Sequence, residues 1–213
     1  MADWQMAWNE IWALINIKSG DKVLDIGVGE EARSTKKLVE LGAVVTAVDK
    51  DESRIALHKS LSATLIQCDA SSLPFSDGYF DLAMAFATLH EIDPRSHRRV
   101  TREMVRVAKR LAIVESAPWG NPEAKAVGDI ARRAYESMGS FEQRRPLGYW
   151  MGLLPPGVKV RSHAFTVKQH LDKKDVLKAA QKEGWPRECI SQIKALVFGG
   201  DYDNKVFLIL GSG

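Results

Sequence analysis

Lys22-Val23-Leu24-Asp25-Ile26-Gly27-Val28-Gly29-Glu30-Glu31-Ala32 is the stretch on which the reading of this chain turns. Its first five residues form a short, largely aliphatic run that suits a buried strand, and the run enters a turn at Gly27-Val28-Gly29. A helix follows through Leu38, Val39 and Leu41 and stops at Gly42, where a left-handed cap costs least. A strand, a glycine turn and a helix in that order bring backbone N–H groups and the positive end of the helix beside whatever binds there. Gly27-x-Gly29-x-x-Ala32 fits the loose dinucleotide fingerprint, and Asp49 closes the next aliphatic run, where an acid can accept both hydroxyls of a ribose. A glycine turn also serves as a plain tight connection, so the motif needs company.

Working outward, Ala43–Val48 reads as the second strand, and Asp51 can cap a helix carrying Ile55, His58 and Leu61. Thr64–Gln67, Phe80–Phe86 and Leu111–Glu115 supply three more strands. Between the last two, Asp93-Pro94 offers a cap and a first-turn proline to a helix with Val100, Met104, Val107 and Leu111 on one face. Val158–Val167 and Val206–Leu210 complete the set, with a helix from Asp172 to about Gly184 and a helical stretch bearing Ile190, Ile193 and Val197 between them. Strands alternating with helices, aliphatic on both faces, predict an α/β, doubly wound, mostly parallel sheet with helices on both faces. The proline- and glycine-rich region 118–157 interrupts this rhythm around one helix with Val127, Ile130, Ala134 and Met138, and reads as an insertion after the fifth strand. Residues 1–20 hold a helix with Trp4, Trp8, Ile11, Trp12 and Ile15 on one face, either packed on the core or lying over a ligand. The expected organisation is one domain over 1–213.

Length and composition agree with that count. At 213 residues there is little room for a second full-sized domain, and 45% hydrophobic with 27% charged residues is the balance of a globular chain. A net charge of +3 is too small to mark an obligate nucleic-acid binder. The only cysteines, Cys68 and Cys189, exclude a disulfide scaffold and a CxxC metal site, so a reducing, cytoplasmic setting is expected and no metal site is assigned. No apolar run approaches the ~18 residues of a membrane span, and Asp3-Trp4 stand where a signal peptide would carry basic and then apolar residues.

Further residues narrow the chemistry. Asp25 precedes the glycine turn, where a carboxylate would repel a pyrophosphate but suit a cationic amino-acid group. Asp69 ends the third strand, within reach of an exocyclic adenine amine or simply capping a turn. None of the four tyrosines has a lysine four positions on, which removes the commonest short-chain reductase arrangement.

Taken together, these residues resemble class I (Rossmann-like) S-adenosylmethionine-dependent methyltransferases. Val23–Gly29 is similar to the first motif of that family, Ala47-Val48-Asp49 to its ribose-binding strand end, Cys68-Asp69-Ala70 to its adenine loop and Phe80–Phe86 to its fourth strand. The match covers about the first 115 residues. The family often has a third glycine near Glu31; Glu30-Glu31 instead add negative charge at the helix start, which favours a sulfonium and opposes phosphate. The resemblance implies a seven-stranded sheet with its last strand antiparallel, and S-adenosylmethionine held by Asp25, Gly27 and Gly29 at the methionine portion, with Val28 and Lys50 also among the cofactor-binding residues. It further implies Asp49 at the ribose, Asp69 and Ala70 at the adenine, and Phe86 beside the reactive methyl.

Methyl transfer from a sulfonium needs little beyond positioning and exclusion of water, unless the acceptor must lose a proton. His90, in Thr88-Leu89-His90-Glu91 just past the fourth strand, is the candidate base, or a histidine held structurally near a helix start. No Asn/Asp-Pro-Pro-Tyr/Phe follows that strand, which argues against adenine, cytosine and glutamine amines as acceptors. Region 118–157 is the expected substrate cover: Trp119, Tyr135, Phe141, Tyr149 and Trp150 with Arg144 and Arg145 would make an apolar pocket with a basic rim, unless they merely pack on the sheet. The expected partner is a small-molecule acceptor, with no membrane. RNA or protein is the alternative acceptor; Arg95, Arg98, Arg99, Arg102, Arg106 and Lys109 give one helix a basic outer surface that reads first as a solvated face and, more sharply, as an RNA contact. A non-catalytic subunit of the same fold and a nicotinamide-dependent reductase are the remaining readings, the latter opposed by Asp25, Glu30 and Glu31.

Overall fold

A computed structural model describes residues 2–212, so the ends of the predicted unit 1–213 lie outside the described residues. Strand β1 (Lys22–Ile26) is an interior strand, next to the central one, of a seven-stranded sheet of order β3-β2-β1-β4-β5-β7-β6. It pairs in parallel with β2 (Val44–Asp49) on one side and β4 (Leu82–Phe86) on the other; β3 (Thr64–Gln67) extends the first side and β5 (Arg110–Ser116) the second. β7 (Gly200–Ser212) runs antiparallel to both β5 and β6 (Lys159–Leu171), so the last strand is the reversed one, as expected. The chain winds from β1 outward to β3 and then crosses to β4 on the other side. That reversal opens a crevice beyond the carboxyl ends of β1 and β4.

Alternation along each strand builds two cores. Val23, Val45, Ala47, Leu82, Met84 and Val114 face α1 (Ala2–Ile15) and α2 (Arg33–Glu40), whose Ile11, Trp12, Ile15 and Leu38 are buried against them. Leu24, Ile26, Ala83, Ala85, Leu111 and Ile113 point the other way, onto Val100, Met104 and Val107 of α4 (His97–Val107) and Trp150 of α6 (Leu147–Met151). Burial on both faces is why these strands read as unbroken aliphatic runs. The short helix α3 (Glu52–Leu57) starts at Asp51, whose carboxylate accepts the Ser53 N–H. A third cluster, with Val127, Ile130, Ala180, Trp185 and Ile193, joins α5 (Pro122–Ser137) to α7 (Lys173–Lys182) and α8 (Arg187–Ala195) beside the far half of the β6–β7 ribbon.

Several expectations change. Three helices end short of the sequence reading, with Leu41, His58 and Met138 as the C-caps of α2, α3 and α5 and Leu61 beyond α3. Phe80 forms only a single parallel bridge to Ala108 ahead of β4. The helix expected from Asp93-Pro94 begins at His97, because the Asp93 carboxylate is taken by the Arg95 N–H and guanidinium in a separate turn, and Leu111 belongs to β5. Val197 lies beyond α8 and is 92% exposed. The last two strands run to 13 residues each, longer than expected, since their outer halves alternate with exposed positions and leave no aliphatic run to read.

Candidate functional site at the switch point

The turn after β1 is held in three places. Gly27 has φ +85° and donates its N–H to Val48 O at 2.8 Å; a Cβ there would stand 2.4 Å from Thr88 Cγ2, so only glycine lets the loops after β1 and β4 meet. Gly29 (φ +66°) has open space where its Cβ would be, and its N–H donates to Asp49 Oδ2 at 3.2 Å. The other oxygen of Asp49 accepts the Asp51 N–H at 3.0 Å, and His58 Nε2 lies 3.1 Å from the Gly29 carbonyl, to which it donates. The carboxylate at the tip of β2 is therefore fixed by two backbone donors at the floor of a cleft.

Asp25 is placed differently from the sequence reading. Its side chain is fully buried beneath the turn, accepts the Ser34 and Thr35 hydroxyls on Oδ2 at 2.8 and 2.7 Å, and does not line the cleft. Burial pushes its pKa up to about 6, against the pull of Thr35 and Ser34, and Oδ1 has no partner among the described residues. Asp25 anchors the first turn of α2, which starts from a left-handed Ala32 without a side-chain cap.

The cleft has a volume of about 1070 Å³ and takes in Gly27, Val28, Gly29, Asp49, Lys50, Asp69, Ala70 and Phe86 together, as the order of strands requires. Asp69 accepts the Ser71 N–H at 2.8 Å, closing the loop after β3, and Lys50 Nζ stands 3.9 Å from it. Phe86 stacks on Trp12 with centroids 6.0 Å apart and meets Trp8 edge-on at 5.1 Å, so α1 both packs on the core and forms a wall of the cleft. Ala87 holds a left-handed conformation (φ 51°) that costs on the order of 1 kcal/mol or more and swings Thr88 under the glycine turn. Nine carboxylate side chains line the cleft against four basic ones.

Glu115, at the carboxyl end of β5, is fully buried and organises the segment after β4. One of its oxygens accepts the Thr88 and Leu89 N–H groups at 3.1 and 2.7 Å, and the other lies 2.7 Å from His90 Nδ1. Burial by itself would lower the His90 pKa, but Glu115, with Glu142 and Glu91 beyond it, outweighs that and raises it to about 9. The surrounding carboxylates thus favour the protonated imidazole, which works against a general-base role. Glu115 went unread in the sequence although it carried the same signal as Asp49, an acid closing an aliphatic run. Thr88 and His58 stood in the quoted segments without a site role, and Glu142 gave no local signal at all.

The expected basic rim is also corrected. Arg144 stacks on Trp119 (3.6 Å to the ring centroid), Arg145 lies over Tyr149 (5.2 Å), and Trp150 is buried in the core. Of the region 118–157, the cleft receives Tyr135, Gly139, Ser140, Phe141 and Glu142, so its rim there is aromatic and acidic.

Comparison with known proteins places this geometry. A methyltransferase-domain family model matches residues 24–114. A demethylmenaquinone methyltransferase of Mycolicibacterium vanbaalenii is 31% identical over 151 residues, 68% of this chain and 63% of the relative, so the chain spans under two thirds of that protein's length. The YcgJ protein of Bacillus subtilis superposes with a TM-score of 0.74 at 18% identity, covering 96% of this chain and 98% of that one. A SAM-dependent methyltransferase of Methanosarcina mazei gives 0.61 at 20% identity over 94% and 96%.

Proposed function

We propose that the chain is a methyltransferase of the class I (Rossmann-like) type that transfers a methyl group from S-adenosylmethionine to a small-molecule acceptor, a reading supported by the methyltransferase-domain match over residues 24–114, the demethylmenaquinone methyltransferase relative and the shared fold. The observation that carries the proposal is the Asp49 carboxylate, fixed by the Gly29 and Asp51 N–H groups at the cleft floor. An ionised carboxylate has about four lone-pair sites, so two remain for the paired hydroxyls of a ribose. The open space over Gly29 admits the nucleoside, and the acidic lining favours a sulfonium and an ammonium group while opposing a diphosphate. Lys50, Asp69 and Ala70 are proposed at the ribose and adenine, with Gly27 and Val28 beside the methionine portion. Asp25 acts from below, by holding the start of α2.

When bound, S-adenosylmethionine supplies a methyl group already activated on sulfur. The chain's own residues have to orient the acceptor and exclude water. Phe86 and Trp8 present aromatic faces and edges to the cationic end, and Tyr135, Phe141 and Glu142 close the opposite wall. His90, protonated, cannot take a proton from the acceptor in this state; it fixes Glu115 and through it the Thr88 and Leu89 backbone. The demethylmenaquinone methyltransferase relative supports a small acceptor over RNA. A cytoplasmic location is proposed from the two free thiols; among the described residues no helix is long and apolar enough to cross a membrane.

Calorimetric titration tests this. The protein is expected to bind S-adenosylhomocysteine and not NAD, and Asp49→Ala to weaken that binding by about 10 to 150-fold, the loss of a charged hydrogen bond of ~1.5 to 3 kcal/mol. Tight NAD binding with no response to S-adenosylhomocysteine would overturn the proposal.

A further inference from the structure

At the mouth of the cleft three ligand atoms from two distant parts of the chain converge. His90 Nε2 lies 3.6 Å from Glu142 Oε2 and 4.0 Å from Glu91 Oε1, and the three atoms all fall within 4.8 Å of one another. We propose that His90, Glu91 and Glu142 form a divalent-cation site, suited to a first-row transition ion such as Zn²⁺ or Mn²⁺. Binding displaces the Nε2 proton of the imidazole to solvent, so that a lone pair faces the ion while Nδ1–H stays on Glu115.

Two donors bound to one such ion at ~2.0 to 2.2 Å in a tetrahedral arrangement stand about 3.4 Å apart, so the two separations from His90 Nε2 need about 0.2 and 0.6 Å of contraction. The two carboxylates, within 4.8 Å of each other, need up to about 1.4 Å, which side-chain rotation of the two glutamates can supply. The imidazole is about nine-tenths buried, yet Nε2 makes no hydrogen bond among the described residues and points at the two carboxylates. The far atom of every donor is held from outside. Glu115 takes His90 Nδ1 at 2.7 Å, Arg144 Nε meets Glu142 Oε1 at 3.2 Å, and Arg54 lies 3.6 Å from Glu91 Oε2. A carboxylate behind a ligating histidine, fixing its tautomer and ring plane, is the usual outer support of a metal site. The donor set, one imidazole nitrogen with two carboxylates, suits Mn, Fe, Co or Zn better than a soft copper site.

Three protein donors leave coordination positions open. Glu91 and Glu142 line the cleft that also holds Phe86 and Thr88, so an open position would face an acceptor's hydroxyl or carbonyl oxygen. That role rests on the methyl-transfer reading; the ion site itself does not.

The test is titration of chelator-treated, full-length protein with Zn²⁺ and with Mn²⁺ alone, followed by calorimetry and metal analysis after desalting. One ion per chain is expected, with binding weakened at least 10-fold in Glu142→Gln and in Glu91→Gln and abolished in His90→Ala. The two glutamine variants stand on the cleft rim, and their thermal melts report whether the fold is kept. No ion uptake, or uptake unchanged in both glutamine variants, would overturn the site; the second result would assign the ion to surface groups such as His170 with Asp201. Binding of S-adenosylhomocysteine, measured separately on the wild type, distinguishes failure of this site from failure of the methyl-transfer reading.

Discussion

Asp25 concentrates both of its hydrogen bonds on one oxygen and leaves the other buried without a partner among the described residues. Its folded pKa of about 6 exceeds the ordinary 3.8, so the folded state holds the proton more tightly. The resulting stabilisation is complete below pH 3.8 and is lost as the pH rises through 6. Between pH 5 and 7.5 the wild type should lose about 1 kcal/mol from this group, or roughly 2 to 4 °C in melting temperature for a chain of this size. Asp25→Asn keeps an acceptor for Ser34 and Thr35 without the charge. Calorimetric melts at the two pH values should show its loss smaller than the wild type's by that margin; equal losses would mean that Asp25 is not titrating there.

At the scale of elements, the turn after β1 and the segment after β4 are one construction, joined where Gly27 meets Thr88. Gly27→Ala should cost twice over, once for a Cβ in a left-handed backbone and again for the 2.4 Å approach to Thr88, whose N–H is already committed to Glu115. Binding of S-adenosylhomocysteine should fall more than 10-fold. Gly78→Ala is the control: its φ is also positive, at +63°, but it meets open space, so about 1 kcal/mol of stability and no change in binding are expected. Titration of the two variants side by side decides whether the contact or the backbone angle matters. The parallel strands were legible in the amino-acid order because both their faces are buried, and Gly27 and Asp49 because each closes or follows such a run. The start of α4 was not, because Asp93 carries capping chemistry that Arg95 uses locally. The outer halves of β6 and β7 were not, because they leave the core.

For the molecule as a whole, the site's distant partners explain what sequence could not give. Glu142 meets His90 only because the chain leaves β5, forms α5 and returns to the cleft, where the Gln143 N–H donates to His90 O at 2.8 Å. No local pattern records that return. It also reverses the expected rim: with Arg144 and Arg145 turned onto aromatic rings, the cleft keeps nine carboxylates against four basic groups although the chain's net charge is +3. Lys182 of α7 stands 3.8 Å from Glu30 in the turn after β1, so the helical cluster and the sheet face each other across the opening.

The packing of α1 has one practical outcome. Three of the six tryptophans lie on that helix, two of them on the cleft wall and the third against Phe86. The unlabelled protein thus carries its own optical gauge: adding S-adenosylhomocysteine should change the intrinsic emission, and Trp8→Phe should remove most of that change while the titration midpoint measured by calorimetry still reports binding.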